Sequence, residues 1–194
     1  MKDITNKEML FVLTIFKSPE VEYNANSIAK SIGISSMGAL KIAKRLEEEN
    51  ILVSRKLGKA RFYKLNFNNE YAKQYIKFLL KRESEQAHFY VKRWISELKN
   101  IKSANLAILF GSVLKKHKEA RDIDALLITD KKAFAKLKKE LEDINLVNVK
   151  KLHPIYQTKD DFKKNIKKED KVILNAIKGV IVFGEDVAIS LIRK

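Results

Sequence analysis

The chain has 194 residues, 45% apolar and 33% charged, a balance that suits one large folded domain or two small ones and excludes a disordered chain. With no cysteine it has no disulfide framework, no thiolate zinc site and no cysteine nucleophile. Its 40 Lys and Arg against 24 Asp and Glu give a net charge of +16, spread over both halves, which favours a polyanionic partner: DNA, RNA or nucleotide phosphates.

No apolar run reaches the roughly 18–20 residues that span a bilayer, so no membrane partner is expected. The opening Met1-Lys2-Asp3-Ile4-Thr5 lacks the order of a signal peptide, and the cytoplasm is the expected compartment.

Residues 5–17 place Met9, Leu10, Leu13 and Phe16 at helical spacing. Asn24 or Asn26 can cap a second helix that turns Ile28, Ala29 and Ile32 inward and stops at Gly33. Ser35 can cap a third helix running to about Glu49, with Met37, Leu40, Ala43 and Leu46 as its expected apolar stripe. Asn50 tolerates the left-handed backbone that often follows a helix. Ile51–Lys56 and Arg61–Leu65 are β-rich runs about the Gly58 turn, and read as a hairpin. Gly33, Gly38 and Lys41 do not make a phosphate-binding P-loop, because the Gly-Lys-Ser/Thr ending is missing.

Three helices followed by a hairpin resemble a winged helix-turn-helix, over roughly residues 4–67. The resemblance implies contact with double-stranded DNA. The third helix would present Ser36, Lys41, Lys44 and Arg45 to a groove, and the wing Arg55, Lys56, Lys59 and Arg61 to phosphates. Winged helices also serve as docking or dimerisation modules, and Glu47-Glu48-Glu49 dilutes the helix charge, so that reading stands beside the first.

From Glu70 to about Lys99 there is neither Pro nor Gly. Tyr71, Tyr75, Phe78 and Leu79 make one apolar stripe, and Ala87, Val91, Trp94 and Leu98 another, on one long helix or on two with a break near Ser84. These stripes pack on flanking domains or form a homodimer contact. The expected organisation is a winged-helix domain at 1–67, a helical connector at 68–102 and a third domain at 103–194.

Leu106–Phe110 is a continuous apolar run suited to a buried strand, ending in Gly111-Ser112. After residues 113–121 comes Asp122-Ile123-Asp124, then the apolar run Ala125–Ile128. On a strand Asp122 and Asp124 point the same way, about 7 Å apart. Two carboxylates so placed can hold Mg²⁺ between themselves and a triphosphate. Gly111 lets backbone amides approach phosphate oxygens, Ser112 adds a hydroxyl, and Lys115-Lys116-His117-Lys118 with Arg121 adds charge.

This order of strand, Gly-Ser, polar loop, Asp-x-Asp and strand resembles the DNA polymerase beta nucleotidyltransferase superfamily, most closely its small minimal members, over roughly residues 103–192. The resemblance implies an α+β fold with a mixed sheet flanked by helices. It also implies Asp122 and Asp124 as metal-binding catalytic carboxylates, Gly111 and Ser112 as nucleotide contacts, Mg²⁺ as cofactor, and a nucleoside triphosphate as substrate.

The chain departs from the family pattern in two places. A third carboxylate usually stands on a later strand, but the candidate run Val147–Gln157 carries none. Arg121 replaces the usual small residue before Asp-x-Asp. Either His153 or a displaced acid takes the third role, or the domain has lost catalysis and binds nucleotide or protein. A third reading is RNA modification, with the basic surface gripping RNA. The acceptor, protein or RNA, is not legible in the sequence.

Overall fold

The computed structural model describes residues 3–193, which fall into two compact units, one ending at Leu79 and the other spanning Leu80–Ile192.

The first unit opens with α1 (Asn6–Lys17), whose Thr5 hydroxyl accepts the Glu8 amide as N-cap. A two-residue strand β1 (Tyr23–Asn24) leads into α2 (Ala25–Ile32). Asn24 and Ser27 close a reciprocal capping box there, and Gly33 ends the helix at φ +66°. The third helix α3 (Ser36–Glu48) is capped by Ser35, whose Oγ accepts the Gly38 amide at 3.0 Å. Strands β2 (Leu52–Leu57) and β3 (Ala60–Leu65) form the hairpin, and the three strands lie in the order β1-β3-β2, all antiparallel. Asn50 and Gly58 take the positive φ that their positions require.

Three of the expected apolar stripes are buried only in part. On α1, Leu10 is exposed while Phe11 and Val12 join Met9, Leu13 and Phe16 in the core. On α2, Ile28 and Ala29 are buried and Ile32 is only half-buried. On α3 the core face is Ala39, Ala43 and Leu46, whereas Met37 and Leu40 are exposed. Small residues let the α3 backbone approach its neighbours closely, so the larger apolar side chains are left outside.

Residues 70–98 form two helices, α4 (Glu70–Gln86) and α5 (Phe89–Leu98), with the break at Ala87-His88 rather than at Ser84. The boundary between the two units falls inside α4. Its buried apolar positions are Ala72, Tyr75, Ile76, Leu79 and Leu80, and Tyr71 and Phe78, expected inside, are exposed.

The second unit is built on a four-stranded mixed sheet in the order β6-β5-β4-β7. Strand β4 (Leu106–Phe110) is antiparallel to β5 (Ile123–Ile128) and to β7 (Val180–Phe183), while β5 runs parallel to β6 (Leu152–Gln157). Between β4 and β5 lies the single turn α6 (Val113–Lys116), and between β5 and β6 the longer α7 (Phe134–Val147). After β6 come α8 (Lys159–Lys167), capped by Thr158, and α9 (Lys171–Ile177), capped by Asp170. The C-terminal α10 (Glu185–Ile192) follows β7.

Alternation sorts the sheet into two faces. Ala107, Leu109, Ile123, Ala125, Leu127, Val180 and Val182 share one core with Trp94 and Leu98 of α5 and Leu137, Leu141 and Ile144 of α7. The opposite face therefore carries Phe110, Asp124 and Leu126. Strand β6 starts later than expected because α7 continues to Val147. Buried Asn148 then ends the helix, donating from Nδ2 to the Ile144 carbonyl and accepting Arg93 at 2.8 Å. Among the described residues no helix is long and apolar enough to cross a membrane.

Candidate functional site

The sheet sets the position of Asp124. It lies on β5 opposite Phe110 of β4, and opposite His153 of β6 in the parallel register, so the three side chains leave the same face. Asp122 stands two residues earlier, just before β5, with its Oδ1 3.7 Å from His153 Nε2. Both of these are about half exposed, whereas Asp124 is partly covered.

Gly111 ends β4 at φ +81°, a conformation that favours glycine. A β-carbon there would stand 2.1 Å from Asp124 Oδ2, so the carboxylate occupies the space a larger residue would need. Gly-Ser and Asp-x-Asp thus meet at one corner of the sheet. Burial pushes the Asp124 carboxyl above its usual range and the Asp122 charge adds to that, while His153 opposes it.

Beside this corner is an open cleft of about 490 Å³, lined by Phe110, Gly111, Ser112, Leu114, Lys115, Lys116, Asn175, Lys178 and Gly179. Gly111, Ser112, Lys115 and Lys116 were legible in the sequence as candidates. Asn175, Lys178 and Gly179 were not, because they enter from the end of α9 and the turn between it and β7. A β-carbon on Gly179 would lie 2.4 Å from the Leu109 carbonyl oxygen, which explains a glycine where that turn meets β4. Lys118 and His117 do not line the cleft. The Lys118 carbonyl accepts the Lys150 ammonium, and the His117 ring stacks on His88 at 3.7 Å.

The chemistry of this donor set fits a magnesium ion carried in by a nucleotide. Mg²⁺ is commonly held by one or two carboxylates, with substrate phosphates and water completing its octahedron. Among the described residues no group of three or more His, Cys, Asp or Glu is gathered to hold a metal by itself.

In the first unit, Ser36, Lys41, Lys44, Lys56 and Lys59 are exposed, and Lys44 lies 3.9 Å from Glu48. Arg55 pairs with Glu22 at 2.5 Å and Arg61 with Glu47 at 3.4 Å, so both wing arginines already have carboxylate partners. Arg45 is turned inward: it pairs with Glu8, 2% exposed, and reaches Glu49 at 3.7 Å. Tyr75 Oη donates to the other Glu8 oxygen at 2.5 Å. Arg45 thus neutralises a buried charge instead of lying free on the outer face of α3.

Residues 92–179 match the family described as Polymerase beta, Nucleotidyltransferase. No curated protein matches the chain. Among solved structures the chain is similar to the adhesin competence repressor AdcR of Streptococcus pyogenes. That similarity has 17% identity and a TM-score of 0.38, over 50% of this chain and 67% of that one. It is also similar to a variant of ZitR from Lactococcus lactis, at 15% identity and a TM-score of 0.35, over 50% of this chain and 59% of that one.

Proposed function

We propose that this chain, with its polymerase-beta-type nucleotidyltransferase domain at residues 92–179, is a DNA-binding, regulator-like cytoplasmic protein. Its transferase domain binds Mg²⁺ with a nucleoside triphosphate and passes the nucleotidyl group to a hydroxyl acceptor on a protein or RNA.

The observation that supports this reading most directly is the Asp124 carboxylate seated against Gly111, which itself lines a cleft bearing Ser112, Lys115, Lys116 and Lys178. Phosphates in that cleft would meet the Ser112 hydroxyl and the lysine charges. Asp122 and Asp124 would hold the metal. When bound, Mg²⁺ supplies polarisation of the α-phosphate and neutralises charge on the departing pyrophosphate. The acceptor oxygen bonds to the α-phosphorus as the bond to the bridging oxygen of pyrophosphate breaks. His153, whose Nε2 lies 3.7 Å from Asp122 Oδ1, would take the acceptor's proton.

Labelled nucleoside triphosphates with Mg²⁺ and candidate acceptors test the proposal. Wild type is expected to transfer label, and Asp122→Asn and Asp124→Asn to lose it. Label transfer persisting in both variants would remove the assigned chemistry.

A second reading is favoured by one observation: β6 sets His153, and no carboxylate, opposite Asp124. On that reading the transferase fold is catalytically inactive and the chain is a DNA-binding or protein-interaction module. Transfer by the wild type eliminates it. Comparing duplex DNA with RNA across salt concentrations separates a DNA regulator from an RNA-modifying transferase, because each neutralised phosphate steepens the salt dependence.

A further inference from the structure

The outer face of α3 combines two kinds of chemistry. At 3.6 residues per turn, Met37, Leu40, Lys41 and Lys44 follow the i, i+3, i+4, i+7 spacing and form one stripe. The buried Ala39, Ala43 and Leu46 lie on the opposite side. Met37 is 63% and Leu40 44% exposed, so neither is core to its unit. A single exposed apolar residue needs no explanation. Two of them one turn apart, set into a lysine stripe near the start of the helix, do call for an apolar contact within an anionic surface.

The DNA major groove offers such a surface. Its backbone is anionic, and its one apolar group is the thymine C5-methyl. Met37 and Leu40 are separated by about 4.5 Å along the helix axis, close to the roughly 3.4 Å between base steps. We infer that α3 reads thymine methyls at neighbouring base-pair steps through Met37 and Leu40, with Lys41 and Lys44 reaching phosphates or purine acceptors beside them. This assignment rests on the DNA-binding reading above and deepens it. The exposed Lys56 and Lys59 of the wing supply charge complementarity in the same unit.

The test uses the full chain. Duplexes selected from a random pool by binding are expected to share thymines at adjacent or nearly adjacent steps. Replacing each such thymine by uracil removes only the methyl and should weaken binding about threefold per position. Met37→Gln with Leu40→Gln replaces both apolar ends by amides while keeping helix propensity. This double variant should bind thymine and uracil duplexes alike, with an unchanged salt slope and circular dichroism spectrum.

Equal affinity of the wild type for thymine and uracil duplexes overturns the inference while leaving DNA binding intact. So does methyl discrimination that survives in the double variant. A wild-type dimer in sedimentation that the double variant loses would assign the face to a second copy instead. Failure to bind any duplex overturns both this inference and the DNA-binding reading beneath it.

Discussion

Gly111 and Asp124 share one packed corner: the Asp124 Oδ2 atom lies where a β-carbon on Gly111 would intrude, at 2.1 Å. Gly111→Ala therefore carries two burdens, a positive φ costing roughly 1–2 kcal/mol and displacement of the carboxylate. Gly58 of the wing also has positive φ, +58°, but nothing within 4 Å of a β-carbon, so Gly58→Ala isolates the backbone burden. Gly58→Ala is expected to lose only the backbone cost in urea unfolding, and Gly111→Ala more than that. Only Gly111→Ala should also lose Mg²⁺-dependent nucleotide binding and transfer. Equal nucleotide handling by the two would detach the corner from function.

Arg45 and Lys41 should behave differently although both lie on α3. Removing Arg45 leaves the buried Glu8 carboxylate, which also accepts the Tyr75 hydroxyl, without the arginine's charge, and truncating one partner of a buried pair costs about 3 kcal/mol. Arg45→Ala is thus expected to lower the urea midpoint markedly. Lys41→Ala should change stability by less than about 0.5 kcal/mol but reduce the logarithmic salt slope of duplex binding by about 0.9. Reversed outcomes would mean that Arg45, and not Lys41, faces the groove.

What the sequence made legible and what it hid follow from distance along the chain. Gly111-Ser112 and Asp122-x-Asp124 were readable because strand alternation is local and the two flanking runs are apolar enough to mark buried strands. The cap at Ser35, and Asn24 as one of two candidate caps, were readable for the same reason: each bonds an amide two or three residues on. The facing of α3 was not, because large apolar residues weigh more in a periodicity argument than Ala39 and Ala43, which close packing selects. Arg45's partner lies on α1, and Lys178 reaches the cleft only because β7 pairs with β4. Pairings of that kind are set by topology. The true start of β6 was hidden by Val147 and Val149, which suit a strand by composition but are exposed, at the last residue of α7 and just beyond it.

Glu140 should make stability acid-sensitive. Burial pushes its carboxyl up, but the Ser103 amide and hydroxyl, the Lys102 amide and the Lys136 charge outweigh that and hold it below the usual value of 4.5. A carboxyl lowered by folding stabilises the native state fully above its unfolded value, and this is lost as pH falls through the lowered folded value. Glu140→Gln is expected to cost about 1–2 kcal/mol at neutral pH and progressively less below pH 4.5. Urea unfolding of both proteins across pH checks this. A difference that stayed constant with pH would mean the ionised form is not the one these donors favour.

His153 decides between a working and a retired site, because β6 pairs it directly with Asp124 and its Nε2 lies 3.7 Å from Asp122. If the imidazole takes the acceptor's proton, His153→Gln should slow transfer at least about a hundredfold, chiefly through kcat, with Mg²⁺ affinity little changed. His153→Asp instead puts a third carboxylate opposite Asp124. It removes a group that lowers the Asp124 carboxyl and adds a like charge, so that carboxyl should rise further in the metal-free protein. A divalent cation relieves that repulsion. His153→Asp is therefore expected to tighten Mg²⁺ about tenfold at neutral pH, roughly 1.4 kcal/mol, and to make the affinity fall more steeply as pH drops. Calorimetric titration of Mg²⁺ with a non-hydrolysable nucleotide, at several pH values, measures both effects. An affinity untouched by His153→Asp would show that β6 does not face a metal site at Asp122 and Asp124, and the proposed alignment of Asp122, Asp124 and His153 on one site would have to be abandoned.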